Sequence, residues 1–222
     1  RQMCIRDREG VDLIELGVPF SDPAADGPVI QRADERALAQ GVDIFKVFEL
    51  VRKIRNNVEV PMVFLLYYNV MVQYGIEKFF KRCQETGVDG LIIPDLPYEE
   101  SDEIKEYTEK YGVYQISLVS PTSKDRIKNI AKDAKGFLYC ISSLGVTGEK
   151  SSFVTNFDEF VGTIKKYTDV PACVGFGVSN GKQVKELTKY FDGAIVGSAI
   201  VKSIATGESV CLLYTSDAAD EL

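Results

Sequence analysis

Glu15 lies inside an apolar run, Ile14-Glu15-Leu16-Gly17-Val18, where a charged carboxylate is costly to bury. With the side-chain period of two expected of a strand, Leu13, Glu15 and Gly17 share one face and Ile14, Leu16 and Val18 the other. The wholly apolar second face suits packing beneath helices, which assigns Glu15 to the interior face, near the strand's end. Desolvation there raises a carboxyl pKa and fits the group to carry a proton near neutral pH; a structural carboxylate bonded to backbone or hydroxyl is the plainer alternative. Asp26 follows in the next loop, framed by Ala25 and Gly27-Pro28, and can accept a hydrogen bond from a ring N–H. Asp22, between Ser21 and Pro23, suits local organisation of that loop. Asp95, in Pro94-Asp95-Leu96-Pro97, ends another strand and suits a ligand hydroxyl, a partner contact or simple turn chemistry.

Glycine corners form a second constellation. Gly175-Phe176-Gly177-Val178-Ser179 and Val196-Gly197-Ser198-Ala199 follow the last two strand candidates, and Gly145-Val146-Thr147-Gly148 follows an earlier one. Glycine lets backbone N–H groups approach an anion, and a helix N-terminus adds a favourable dipole. One such turn means little beyond a tight bend, but three at matching strand ends favour a phosphate site. Tyr67 and Tyr139 stand at or near the ends of apolar strands and suit a pocket wall or the core. Thr147 sits in Gly145–Thr155, rich in Gly, Ser and Thr, a segment that suits a lid over the site or mere mobility.

Composition narrows the chemistry further. The chain has 222 residues and no histidine, which excludes imidazole bases, Ser-His triads and His-ligated metal, so no metal is expected. Its net charge of -7 lacks the positive field that nucleic-acid binding needs. No apolar stretch nears the roughly 20 residues that cross a bilayer, and the start carries no tripartite signal, so a cytoplasmic protein is expected. Five scattered cysteines without a C-x-x-C pair read as reduced thiols.

Short apolar runs alternating with amphipathic stretches must position these groups. Strands are expected over Asp12–Val18, Met62–Tyr67, Gly90–Pro94, Tyr114–Val119, Phe137–Ser142, Ala172–Phe176 and Ala194–Gly197. Helices are expected over Ile44–Arg55, Ile76–Thr86, Ser101–Lys110, Lys124–Asp133, Phe157–Tyr167 and Gly181–Tyr190, with a short one in Val29–Ala39. Asn156 and Ser179 stand where N-caps belong, and Gly87 and Gly112 follow helix ends. The pattern predicts an α/β fold, a (β/α)8 TIM barrel over residues 9–206 lacking its first strand and C-terminal helices; a doubly wound open sheet is the alternative. Residues 1–8 and 207–222 lack the pattern and read as non-native tails.

Glu15-Leu16-Gly17-Val18-Pro19-Phe20-Ser21-Asp22-Pro23, running on to Ala25-Asp26-Gly27-Pro28, resembles the signature of the tryptophan synthase alpha subunit family. The resemblance continues through Tyr67-Tyr68-Asn69, Pro94-Asp95-Leu96-Pro97, Gly145-Val146-Thr147-Gly148, Gly175-Phe176-Gly177-Val178 and Gly197-Ser198-Ala199-Ile200-Val201, covering about Val11 to Ile204. It implies a lyase that cleaves indole-3-glycerol phosphate to indole and glyceraldehyde 3-phosphate in tryptophan biosynthesis. By that resemblance Glu15 is the acid-base glutamate and Asp26 the aspartate that stabilises positive charge on the indole N–H. Gly148, Gly177, Gly197 and Ser198 match phosphate contacts, Tyr67 and Tyr139 wall residues, and Thr147 a lid residue closing near Asp26. The family carries no cofactor on this subunit and pairs with a beta subunit holding pyridoxal phosphate, usually as αββα. Asp22, Asn69 and Asp95 lie toward that partner in the family. Other enzymes on phosphate-binding barrels are the nearest rivals, although no strand-end lysine is present for Schiff-base aldolase chemistry. A non-catalytic subunit that regulates its partner is the remaining alternative.

Overall fold

Runs of Val, Ile, Leu, Met and Phe form the strands, and apolar residues three and four apart form the helices between them. The computed structural model describes residues 11–123, 125–141, 157–175, 177–178 and 180–207. The chain divides into two units, Arg1–Ile116 and Ser117–Leu222.

In the first unit, strand β1 (Ile14–Gly17) leads through a loop to α1 (Pro28–Ala39) and α2 (Ile44–Arg55). Strand β2 (Met62–Leu65), α3 (Tyr68–Tyr74), α4 (Ile76–Thr86), β3 (Gly90–Ile92), α5 (Asp102–Tyr111) and β4 (Tyr114–Gln115) follow. The strands pair in parallel in the order β1-β2-β3-β4. Pro28 opens α1, where a missing N–H costs nothing, and the Asp43 side chain caps α2 by accepting from Lys46 N–H. Gly87 and Gly112 close α4 and α5 at φ +82° and +66°, the left-handed geometry that glycine adopts without penalty.

The core lies between this sheet and its helices, where Ile14, Met62, Phe64 and Leu91 meet Phe48, Val51, Phe79 and Phe80. Ile14 and Val18 are buried in it while Gly17 is exposed and Glu15 half-buried, so the two faces of β1 divide as its alternation predicts.

The second unit runs β5 (Ser117–Val119), α6 (Ile127–Asp133), β6 (Leu138–Ile141), α7 (Phe157–Lys165), β7 (Ala172–Gly175), α8 (Gly181–Leu187), β8 (Gly193–Ala194) and α9 (Ser198–Thr206). Its sheet is parallel in the order β5-β6-β7-β8.

Three features depart from the sequence expectation. The predicted strand Tyr114–Val119 divides at Ile116: β4 pairs with β3, whereas β5 pairs with β6. Ile116 N–H still reaches the Leu91 carbonyl at 2.8 Å, so the change of ladder partner comes only after it. The strand expected to run to Tyr67 ends at Leu65, and Tyr68–Tyr74 winds into a helix that the pattern did not predict. Asn180 caps α8, its side chain accepting from Gln183 N–H; Ser179 and Asn156, the expected caps, lie outside the described residues. The expected tails lie outside them too, apart from Gly207.

One device recurs at the strand starts. Asp89, just before β3, accepts from Met62 N–H at the head of β2 and pairs with Arg55 from α2. Asp192, just before β8, accepts from Ala172 N–H at the head of β7 and pairs with Lys165 from α7. In both places the aspartate's own N–H returns a bond to the same strand head, Asp89 to Met62 O at 2.8 Å and Asp192 to Ala172 O at 2.9 Å. Each clip satisfies buried backbone where a ladder begins.

Candidate active site

Strand β1 sets Glu15 in register with Val63 of β2, on the face opposite the helices. Among the described residues, Glu15 Oε2 is buried and has no hydrogen-bond partner. A buried orphan oxygen favours the neutral acid. Burial, and then the negative charge of Asp26, push the Glu15 pKa up to about 7.

Asp26 is held on several sides. Its N–H donates to Pro23 O at 3.0 Å, its carbonyl accepts from Gln31 Nε2 at 2.9 Å, and its Oδ2 accepts from Tyr67 Oη at 2.8 Å. Burial raises its pKa; the hydrogen bond from Tyr67 opposes that and keeps a charged form supported.

Tyr67 follows β2 and is buried. Its hydroxyl also accepts from Ala25 N–H at 2.9 Å, and its ring stacks on Phe20 at 5.0 Å. Burial and then the Asp26 hydrogen bond drive its pKa far upward, so the phenol remains a donor. Tyr67 thus grips the loop that carries Asp26, a more specific part than the wall expected from sequence.

Asp34 of α1 belongs to the same constellation and was missed by the sequence reading. Its pKa rises to about 6 through burial and then the field of Asp26. The signal was available: Ile30, Ala33, Asp34 and Ala37 fall on the half-buried face of α1, an acid at helical spacing among apolar residues.

The remaining expected positions in this unit are looser. Asp22 accepts from Ser21 Oγ and helps line a cavity of about 400 Å³ with Phe20, Gln31, Glu35 and Leu38. Asn69 is exposed on α3. Asp95 is exposed too, and both its oxygens accept from Tyr68 N–H, at 2.9 and 3.1 Å.

In the second unit, β7 and β8 are parallel neighbours, so Gly177 and Gly197 follow strand ends on the same rim. Gly177 has φ +82°, which favours glycine. Gly197 is the N-cap of α9 and Ser198 its first residue; a side chain at Gly197 would meet nothing within 4 Å, so that helix end is sterically open. Tyr139 of β6 is buried against Gly175, where an added Cβ would stand 2.6 Å from the ring carbons Cε1 and Cζ. Thr147, Gly148 and the expected lid Gly145–Thr155 lie outside the described residues.

Among the described residues no three His, Cys, Asp or Glu side chains gather as metal ligands. No helix among them is long and apolar enough to cross a membrane. What the first unit offers is a carboxyl poised to exchange a proton beside a carboxylate held by hydrogen bonds, the division of labour that acid-base catalysis uses.

The sequence matches the family described as tryptophan synthase alpha chain over residues 3–216. The chain belongs to that family. It is 50% identical over 201 residues to the tryptophan synthase alpha chain of Alkaliphilus metalliredigens, covering 90% of this chain and 76% of that one. Against the alpha chain of Methanocaldococcus jannaschii it is 49% identical over 195 residues, 87% of this chain and 69% of the other. Its fold is similar to the alpha subunit from Campylobacter jejuni, with a TM-score of 0.83 at 43% identity, over 91% of this chain and 82% of that structure.

These likenesses make the fold one of the TIM-barrel type, with the α/β order and parallel sheets described above. The tryptophan synthase alpha chain is a lyase of tryptophan biosynthesis that cleaves indole-3-glycerol phosphate to indole and glyceraldehyde 3-phosphate, and it works with a beta-subunit partner.

Proposed function

We propose that Glu15 and Asp26 carry out the lyase chemistry in this chain. In its protonated form Glu15 gives a proton to the indole carbon that bears the glycerol chain. Positive charge then develops at the ring nitrogen, and ionised Asp26 accepts the hydrogen bond from that N–H. The Glu15 carboxylate next takes the proton of the adjacent glycerol hydroxyl as the carbon–carbon bond breaks. Its electron pair leaves with indole, the hydroxyl carbon becomes the aldehyde of glyceraldehyde 3-phosphate, and Glu15 is an acid again. The observation that carries this reading is the partnerless, buried Glu15 oxygen in the field of Asp26.

The other assignments follow the family resemblance. Tyr67 and Tyr139 serve as walls, Gly148, Gly177, Gly197 and Ser198 as phosphate contacts, and Thr147 as part of a lid. Backbone N–H groups and the dipole of α9 are well suited to an anion without any cluster of cations. Asp22, Asn69 and Asp95 face a beta subunit in an αββα assembly, pyridoxal phosphate belongs to that partner and none to this chain, and the protein works in the cytoplasm.

The test is indole release from indole-3-glycerol phosphate, with and without a beta subunit. Glu15→Gln should lower turnover by about 10²–10⁴-fold, the usual yield of general acid–base catalysis, while a non-cleavable substrate analogue still binds. Near-normal turnover in that variant overturns the assignment.

A further inference from the structure

The helix that follows Tyr67 begins without a cap of its own. Tyr67 is the N-cap residue of α3, and its side chain makes no capping bond; its hydroxyl points away to Ala25 and Asp26. The cap comes from another segment. Asp95, in the turn after β3, places both carboxylate oxygens on Tyr68 N–H, the first amide of the helix. Its neighbour Leu96 is buried and its turn is closed by Leu96 N–H on Ile93 O, so the carboxylate projects from a fixed base.

We infer that Asp95 is a positioning residue for Asp26, acting through the start of α3 and the side chain of Tyr67. The connection is continuous: Asp95 fixes the Tyr68 amide, that amide fixes the backbone of Tyr67, and the Tyr67 phenol fixes the Ala25 amide and the Asp26 carboxylate. Nothing else among the hydrogen bonds described here reaches the first amide of this helix, whose seven residues give little cooperative resistance to fraying. If the cap is lost, the Tyr67–Tyr68 peptide keeps only the bond from Val70 N–H to Tyr67 O at 3.0 Å, and a small shift there displaces a phenol that must meet two partners at 2.8 and 2.9 Å.

This role differs from the partner contact that the family resemblance implies for Asp95, and needs no partner to operate. It rests on Asp26 being the charge-stabilising carboxylate, so the experiment has two independent arms. In the first, amide exchange of Ala25 is followed by NMR in the full chain. Asp95→Ala should speed that exchange at least fivefold, and Asp95→Asn, which keeps one acceptor for Tyr68 N–H, should stay within twofold of the parent. An unchanged Ala25 amide in Asp95→Ala overturns the inference whether or not the chain is active.

In the second arm, indole release is measured for Asp95→Ala, Tyr67→Phe and the double variant. Action through Tyr67 predicts a fall in kcat of about tenfold for each single change, with no further fall in the double variant. KM should change less than kcat, because Asp26 meets charge that develops only as the bond breaks. Multiplying effects in the double variant would show that Asp95 acts by another route. Inactivity of the unmodified chain would count against the reading of Glu15 and Asp26, and the exchange arm alone would then decide the positioning role.

Discussion

Glu15 lies in the field of Asp26, yet among the described residues it is Asp26, and not the buried Glu15 oxygen, that has a hydrogen-bond donor on its carboxylate, Tyr67 Oη at 2.8 Å. The two acids are therefore unlike in the property that matters. One is pushed toward the neutral form by burial and then by its neighbour's charge, and the other keeps support for its charge.

That inequality sets a pH profile. Glu15 must start protonated, so indole release should decline as pH rises through about 7. Asp26 must be ionised, so activity should also decline as pH falls through its own raised pKa. A bell with its alkaline limb near 7 is expected from kcat/KM measured across pH 4–9. A flat profile between pH 6 and 8 would contradict it.

The same burial makes Glu15 a cost to the fold. Its carboxyl titrates at about 7 when folded against an ordinary 4.5. Below the ordinary value both states are neutral and nothing is lost. Between the two values the unfolded chain ionises first, so the cost grows with pH to about 3 kcal/mol and stays level above the folded value. Glu15→Gln should thus be more stable than the parent in urea at pH 8 and show no such advantage at pH 4.5. Equal stability at pH 8 would mean that the carboxyl is better solvated than its surroundings imply.

Gly175 is needed for space. Any Cβ there would run into the buried Tyr139 ring, with Cε1 and Cζ at 2.6 Å. Gly175→Ala should cost about 1–3 kcal/mol of stability by overpacking, measured by thermal unfolding. Combining it with Tyr139→Phe should recover little, because the ring carbons remain.

The strand-start clips make a further prediction. Burial alone would raise the Asp192 pKa, but the bonds from Lys165 and Ala172 N–H outweigh it and hold the carboxyl below its usual range. The stabilisation is therefore present at neutral pH and lost as pH falls through that lowered value. Asp192→Ala and Asp89→Ala should each destabilise by about 1–3 kcal/mol, since Ala172 N–H and Met62 N–H lose their partners. Asparagine at either position should cost less.

Much of this was legible in the residues. The alternation around Glu15 assigned its face as the structure has it, and apolar runs located most strands, because strands covered by helices are apolar; the last one, expected over Ala194–Gly197, lies at Gly193–Ala194. Features made by distant partners were not legible. Nothing near Tyr68 announces a helix, because its first amide is satisfied by Asp95, 27 residues away. The division at Ile116 depends on which neighbour each half pairs with, and side-chain pattern does not encode that choice. Asp34 could have been found from the face it shares with Ile30 and Ala37, but its importance comes from Asp26, which only folding brings near.

The paired clips of Asp89 and Asp192 bear on how such a protein changes over time. Both anchor their ladders at the heads of strands, whereas Asp26, Asp95, Gly177 and Gly197 all follow strand tails. Register is thus locked at one end of each sheet, and the residues proposed for binding and chemistry follow the other. Loops at the working end can be lengthened, exchanged or retuned while the frame beneath them keeps its alignment, which frees reactivity to drift without dismantling the fold.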